Sequence, residues 1–341
     1  MDTPTIRDVA KKAGVGIGTV SRVLNNSPKV AEKTRQIVQD AINELGFRPN
    51  SLARQLPRKT RLRNIGVITQ PFIAYQAFAE RMRGIQLALY ELESQCEMVL
   101  YNVRSLEHFD EQLSIILQTA TVEGLIVIDL DLSDEQITLL RTSNMPFVGI
   151  NHFRQRDWPC IGADNVEGGR IAARYLIELG HRQIGYVGDT FKDDFGFQTS
   201  AERLKGFREV LDQAHLPLPP EYVRLGVHDY AVAKTLASEL LTLPNPPTAI
   251  FAMCDLQAFA CLDAAREAGL RIPDDLSVIG FDDLEMSHHV GLTTVRQHFE
   301  RSGQMALRHL LALMHDDPPP PTPQLPALEV VERHTTRRLA D

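Results

Sequence analysis

The chain has 341 residues and is 43% hydrophobic, enough to bury two or three cores, which excludes a disordered or fibrous protein. No apolar run approaches the roughly 18 residues of a membrane span, the opening MDTPTIRDVAKK has no apolar signal core, and Cys96, Cys160, Cys254 and Cys261 form no C-x-x-C pair, so a membrane protein, a disulfide scaffold and a zinc site are set aside and a cytoplasmic chain with no metal and no cofactor is expected. The net charge of −8 hides an asymmetry, for residues 1–61 carry 12 Lys+Arg against 5 Asp+Glu and the remainder 24 against 39; a basic head on an acidic body suits a head that meets a polyanion.

The first element is IRDVAKKA, in which Ile6, Val9, Ala10 and Ala13 fall at helical spacing behind a capping Thr5, with Asp8 in the first turn. The stretch that follows, AGVGIGTVSRVL, has three alternating glycines. A dinucleotide loop would need a buried strand before them and a third glycine where Ser21 stands, and neither is present. The pattern is helix, glycine turn, helix, with Val20, Val23 and Leu24 on one face and Ile17, Gly18, Ser21 and Arg22 on the other. A third helix is predicted over VAEKTRQIVQDAINELG, with Ile37, Val38, Ala41, Ile42 and Leu45 as its apolar stripe and Gly46 as its stop. In FRPNSLARQLPRKTRLRN, Pro49 and Pro57 bracket SLARQL, too short to be a stable helix alone in water, so it reads as a linker that orders on binding.

From Ile65 short apolar strands alternate with helical patterns. The strands are NIGVITQ, CEMVLYNV, GLIVIDL, PFVGIN, QIGYVGD, YVRLGV, AIFAMC and LSVIGFDD; between them lie helices such as FAERMRGIQLALYELES, GGRIAARYLIELG and AERLKGFREVLDQA. This alternation indicates βαβ units and parallel sheets, too many for one sheet, so two lobes are expected with the break near CIGADN and ligands at the carboxyl ends of the strands. PPPPTPQLP reads as a stiff connector before a last strand, LEVVER.

These segments resemble the lac-repressor (LacI/GalR) family of bacterial transcription regulators over essentially the whole chain: TIRDVAKKAGV, GTVSRVLNN, LGFRPNSLARQL, DNVEGGRIAARYLIELGHRQIGYVGD, the R-x-x-G of RLKGF, IPDDLSVIGFDD, LTTVRQ and LEVVER. The resemblance implies a small all-α helix-turn-helix head plus an α/β two-lobed periplasmic-binding-protein-like domain with parallel sheets. It divides the chain into a DNA-binding domain at 1–48, a hinge at 49–61 and an effector-binding and dimerisation domain at 62–341, the first lobe spanning about 62–161 and 293–325 and the second about 162–292 and 326–341. The implied protein is a homodimeric repressor on double-stranded operator DNA, associated with the nucleoid when bound.

The second helix of such a head enters the major groove. Arg22 then suits guanine, Ile17 a thymine methyl, and Thr19 and Ser21 phosphate oxygens, with Thr5 a further DNA-binding residue. Two glycines depart from the family pattern. Gly16 stands where Ser usually caps the recognition helix, and Gly18 where a base-reading side chain usually sits, so readout leans on Arg22, Ile17 and the hinge. In the hinge the resemblance makes Ala53 and Leu56 minor-groove residues, Leu56 the wedge, with Asn50 and Arg54 on the backbone. Pro57 directly after the wedge is unusual for the family.

For the effector, the resemblance implies Arg203 and Asp282 as a charged donor and acceptor pair, Asn151 and Tyr230 as an amide and an aromatic face, and Phe72, Tyr75 and Phe78 from the first lobe. Cys254 stands where the family commonly carries Asn. Paired polar groups with aromatic faces suit a sugar; the alternative is a corepressed regulator answering to a purine, a phosphorylated metabolite or a partner protein, and a third reading is a sugar-binding transport protein. Cys254 lacks a His–acid partner pattern, and His288, His289 and His298 lack metal-ligand spacing, so no enzyme is expected. The ending TTRRLAD has no leucine heptads, which favours a dimer over a tetramer.

Overall fold

The computed structural model describes residues 6–24, 30–45, 63–70, 75–92, 96–151, 158–190, 198–315 and 320–339. The chain divides into two units, Met1–Leu62 and Arg63–Asp341.

In the first unit, helices α1 (Ile6–Ala13), α2 (Ile17–Leu24) and α3 (Glu32–Leu45) pack on one another. Val9, Ala10, Val20, Val23, Val38, Ala41 and Ile42 are buried between them, with Ala13 and Leu45 partly buried against the cluster; the side chains of Ile6 and Leu24 lie outside the described residues, and the described member of the predicted stripe that is exposed is Ile37. That residue is 44% exposed, because it sits one step off the a/d line carried by Val38, Ala41 and Ile42. The three glycines have different reasons. Gly14 ends α1 at φ +62, and the Val15 amide behind it donates to the Ala10 carbonyl at 3.1 Å, so the turn needs a residue that tolerates left-handed backbone. At Gly16 and Gly18 an added Cβ would meet nothing; packing does not require glycine there.

The second unit carries two sheets. The first is built from β1 (Arg63–Thr69), β2 (Cys96–Asn102), β3 (Gly124–Ile128), β4 (Phe147–Ile150) and β5 (Cys160–Ile161), all parallel in the order β2-β1-β3-β4-β5. The connecting helices are α4 (Gln76–Glu91), α5 (Leu106–Thr119) and α6 (Asp134–Thr142). The second sheet holds β6 (Ile184–Asp189), β7 (Val223–Gly226), β8 (Ala249–Ala252), β9 (Ser277–Asp282), β10 (Thr293–Arg296) and the antiparallel β11 (Glu329–Val331), in the order β11-β10-β9-β8-β6-β7. Its helices are α7 (Asn165–Glu178), α8 (Thr199–Gln213), α9 (Tyr230–Leu241), α10 (Asp255–Glu267) and the short α11 (Glu285–Val290). Strands such as β3 and β9 are buried at every position, as a sheet covered by helices on both faces requires.

The last helix, α12 (Phe299–Leu313), returns to the first sheet and packs on α4. This corrects the expected lobe boundary. Residues 293–296 do not open the first lobe's returning segment; they form β10, paired in parallel with β9 from Thr293↔Ile279 to Arg296↔Asp282. The β-branched run TTV satisfies its backbone on that sheet, so the crossing falls at Gln297 and His298, the latter at φ 57. β11 pairs antiparallel with β10 at the edge of the second sheet.

Among the described residues each lobe has a helix crossing in which backbone meets backbone. A Cβ on Gly84 of α4 would strike the Glu300 carbonyl, and one on Gly303 of α12 the Arg81 carbonyl; Gly169 of α7 and Gly206 of α8 stand in the same relation to Arg203 and Val166. Glycine lets backbone meet backbone there, and so fixes how each helix directs its other side chains.

Candidate functional site

On the head, Ile17 is 46% exposed and Gly18 and Arg22 are exposed, with Thr19 half-buried. α2 therefore offers an apolar side chain, a bare backbone position and a guanidinium on one face. Of the other residues expected on DNA, Thr5, Asn50, Ala53, Arg54 and Leu56, and the side chain of Ser21, lie outside the described residues.

In the second unit a cavity of about 460 Å³ opens where the strands of both sheets end. One wall comes from the first sheet and carries Tyr75, Phe78, Arg81, Asp129 and Asn151; the opposite wall carries Asp189, Arg203, His228, Cys254 and Asp282. Gln297 and Phe299, from the crossing into α12, complete it. The acids and the amide stand just where strands stop: Asp129 after β3, Asn151 after β4 and Asp282 at the end of β9, all with positive φ, a backbone state that Asp and Asn tolerate better than most residues and that recurs at binding sites.

Each wall contains a buried ion pair. Arg81 Nη1 donates to Asp129 Oδ2, and the same carboxylate accepts Asn151 Nδ2 through Oδ1 at 2.7 Å. Opposite, Arg203 Nη1 lies 3.7 Å from Asp282 Oδ1, while Arg203 Nε donates to Asn165 at 3.1 Å and Nη1 to the Met253 carbonyl. The guanidinium stacks 3.6 Å above the Phe281 ring. Gln297 Nε2 donates to Asp282, so the interlobe crossing is tied to this pair. Asp189 accepts His228 Nδ1 at 2.8 Å and Gln257 Nε2 at 2.6 Å. The His228 ring meets Tyr75 of the other wall edge-on, centroids 5.0 Å apart, a contact that spans the cavity.

Burial sets the protonation of these groups. It pushes Asp282 up to about 6 against the pull of Arg203, and it holds the Cys254 thiol well above its usual range, with the Asp282 and Asp189 charges adding to it. A buried thiol kept protonated is not a nucleophile. For His228 burial works downward, but the hydrogen bond and charge of Asp189 outweigh it and the pKa is raised. Glu80 on α4 is lifted to about 7 by burial, opposed by a hydrogen bond from the Glu285 backbone. Among the described residues no cluster of His, Cys, Asp and Glu could hold a metal ion.

Six of the eight expected effector residues meet at this cavity: Tyr75, Phe78, Asn151, Arg203, Cys254 and Asp282. Phe72 lies outside the described residues. Tyr230 is a correction. It begins α9, packs half-buried against the core on the far side of the wall and donates its hydroxyl to Asp263, because the capping Asp229 turns the chain into the helix one residue earlier. His228, two residues back, occupies the wall instead. The cavity is also lined by Arg81, Asp129, Asp189, Gln297 and Phe299, which neither helical spacing nor the resemblance singles out. A signal for Arg81 was present, since RMRG at 81–84 repeats the R-x-x-G spacing of RLKG at 203–206.

A three-helix head with an exposed recognition face, in a chain whose second unit has a charged cavity between two like sheets, defines a DNA-binding regulator controlled by a small molecule. The lacI family model of bacterial regulatory proteins matches residues 5–50, and that of a periplasmic binding protein-like domain matches residues 173–336. The probable HTH-type transcriptional repressor ExuR of Bacillus subtilis is 30% identical over 342 residues, covering 98% of this chain and 99% of its own. The HTH-type transcriptional repressor PurR of Proteus mirabilis is 34% identical, with 90% and 89% covered. Among solved structures, the transcriptional regulator CelR in complex with cellobiose aligns at TM-score 0.67 and 30% identity over 97% of this chain and 99% of that one, and the lac repressor dimer bound to operator and the anti-inducer ONPF at 0.71 and 28% over 98% and 100%. The chain belongs to the lacI family of bacterial regulatory proteins. It is an effector-regulated, DNA-binding transcriptional repressor and not an enzyme. No helix among the described residues is long and apolar enough to cross a membrane.

Proposed function

We propose that this chain is a homodimeric repressor released from its operator when a neutral sugar fills the cavity. The observation that carries the reading is that each wall presents a guanidinium already matched by an aspartate, Arg81 with Asp129 and Arg203 with Asp282. A phosphorylated metabolite would find no unmatched arginine there and would face the further carboxylate of Asp189, whereas sugar hydroxyls, which donate and accept at once, suit such alternating groups. Tyr75, Phe78 and Phe299 supply apolar faces for a ring.

On DNA, Arg22 donates to a guanine edge, Ile17 meets a thymine methyl, Gly18 reads nothing with a side chain, and Thr5, Thr19 and Ser21 hold phosphates. Leu56 wedges the minor groove beside Ala53, with Asn50 and Arg54 on the backbone. Closure of the two lobes on the effector shifts the first lobes of the dimer so that the hinges no longer pair on DNA.

A melting-temperature screen of the full chain against neutral sugars, sugar phosphates and nucleobases tests this, since a ligand of the folded state raises its melting point. A neutral sugar that does so and also lowers operator affinity supports the reading. A response to nucleobases or phosphorylated compounds alone, with operator affinity raised, replaces it by corepression.

A further inference from the structure

The two walls of the cavity are built to one plan. The strand orders β2-β1-β3-β4-β5 and β7-β6-β8-β9-β10 are the same, and α4 and α8 each follow the first strand of their sheet. Each of these helices carries an arginine three residues before the glycine of its close crossing, Arg81 before Gly84 and Arg203 before Gly206. Each guanidinium lies over a phenyl ring, Arg81 at 4.8 Å from the Phe299 centroid and Arg203 at 3.6 Å from that of Phe281. Each faces an aspartate at a strand end.

The two differ in what their donors do. Arg203 is occupied within its own wall by Asn165, the Met253 carbonyl and Asp282. Arg81 is 4% exposed, yet among the described residues its Nε has no hydrogen-bond partner. Across the cavity the Thr199 hydroxyl, 2% exposed and one turn before Arg203, is likewise unpartnered. A buried donor without an acceptor is costly, and a binding site keeps one when the ligand completes it.

We infer that Arg81 is a specificity-determining effector contact, the first lobe's counterpart of Arg203, which donates from Nε to an oxygen of a bound sugar whose opposite edge meets Thr199. The inference rests on the reading of the cavity as a sugar site. Arginine Nε only donates, and Asp129 already balances its charge, so the group it selects is a hydroxyl or ring oxygen. A ligand held by both walls also favours the closed arrangement of the lobes over the open one.

The test uses the full chain, a panel of neutral mono- and disaccharides that includes ribose and cellobiose, and deoxy analogues of any sugar that raises its melting temperature. Arg81→Lys keeps a cation opposite Asp129 but removes Nε. The double change Arg81→Met with Asp129→Asn removes the pair without leaving a buried charge, and Thr199→Val is isosteric at a group that has no partner to lose. Each variant should keep its unliganded melting temperature and its operator affinity, and bind the sugar about tenfold or more weakly. In the Arg81 variants, discrimination against the analogue lacking the selected oxygen should collapse, which loss of packing alone does not produce. Variants that bind and discriminate as the wild type does would overturn the role of Arg81 and leave the sugar reading standing. A wild-type chain that responds to no sugar overturns both.

Discussion

At the residue scale the cavity is a set of matched charges, and its members differ in what they lose on substitution. Removing the Arg203 side chain leaves Asp282, 8% exposed, without its cation, while Asp282→Asn keeps the shape and removes the charge the guanidinium faces. Both changes should abolish the melting-point response to the effector and leave operator binding in its absence near the wild-type value, read by fluorescence anisotropy on a labelled duplex. A chain with Arg203→Ala that is still released by the sugar would take Arg203 out of the site. The sequence carried some of this and not the rest, for a physical reason. Arg203 and Asp282 lie in runs, RLKGF and GFDD, whose neighbours are fixed by helix crossing and strand end, so their place follows from the motif. Tyr230 and His228 are two residues apart at a strand-to-helix turn, and only the position of the Asp229 cap decides which of them faces the cavity. Ile37 failed similarly, since helical spacing places a residue on a stripe but not at its centre.

At the element scale the close crossings are the points of least tolerance. A methyl group on Gly206 would run into the Val166 backbone carbonyl and one on Gly84 into that of Glu300, and backbone cannot move aside as a side chain can. Gly206→Ala should therefore cost about 3 kcal/mol or more, at the upper end for overpacking, and lower the melting temperature by roughly 6 °C or more for a unit of this size. Gly16→Ser, where an added Cβ meets nothing, should leave stability unchanged or raise it slightly, because serine caps a helix better than glycine by a few tenths of a kcal/mol. A melting curve of each variant checks both, and equal melting points would contradict the account of the crossings. For the proposed hinge, Leu56→Ala should weaken operator binding while sugar affinity stays nearly intact, and equal damage to both would contradict its assignment as a wedge. Strand β10 shows why elements were only partly legible. TTVR is short and half hydroxylic, without the apolar run that marked its neighbours, and it becomes a strand only because the β9 edge is there to pair with it.

At the scale of the whole molecule, the buried acids make stability depend on pH with a definite sign. Asp282 is held up to about 6, Glu80 to about 7 and Asp255 to about 8, burial being the leading cause in each, and the pKa of His228 is raised by Asp189 despite its burial. A group whose folded pKa lies above its unfolded one stabilises fully below the unfolded value and loses that contribution as pH rises through the folded value. Buried His181 and His309, whose pKa values burial lowers, work the other way as pH rises, but the three acids carry the larger shifts, so the melting temperature should be higher near pH 5.5 than near pH 8; a flat or rising profile over that window would contradict these environments. The charge division between basic head and acidic body has its own consequence. Operator binding should weaken steeply with salt, the slope of log K against log salt counting the phosphates neutralised at about 0.9 each. A chain lacking residues 1–61 should lose this binding altogether and still bind sugar.

Linkage between the cavity and DNA is read out by a single titration. The full chain is bound to a labelled duplex selected from a random pool, and the sugar that raises its melting temperature is added while anisotropy is followed. The sugar should release the duplex, with a midpoint that moves about tenfold or more to higher sugar concentration in Arg81→Lys. Sugar binding that leaves operator affinity unchanged, or strengthens it, would contradict the linkage.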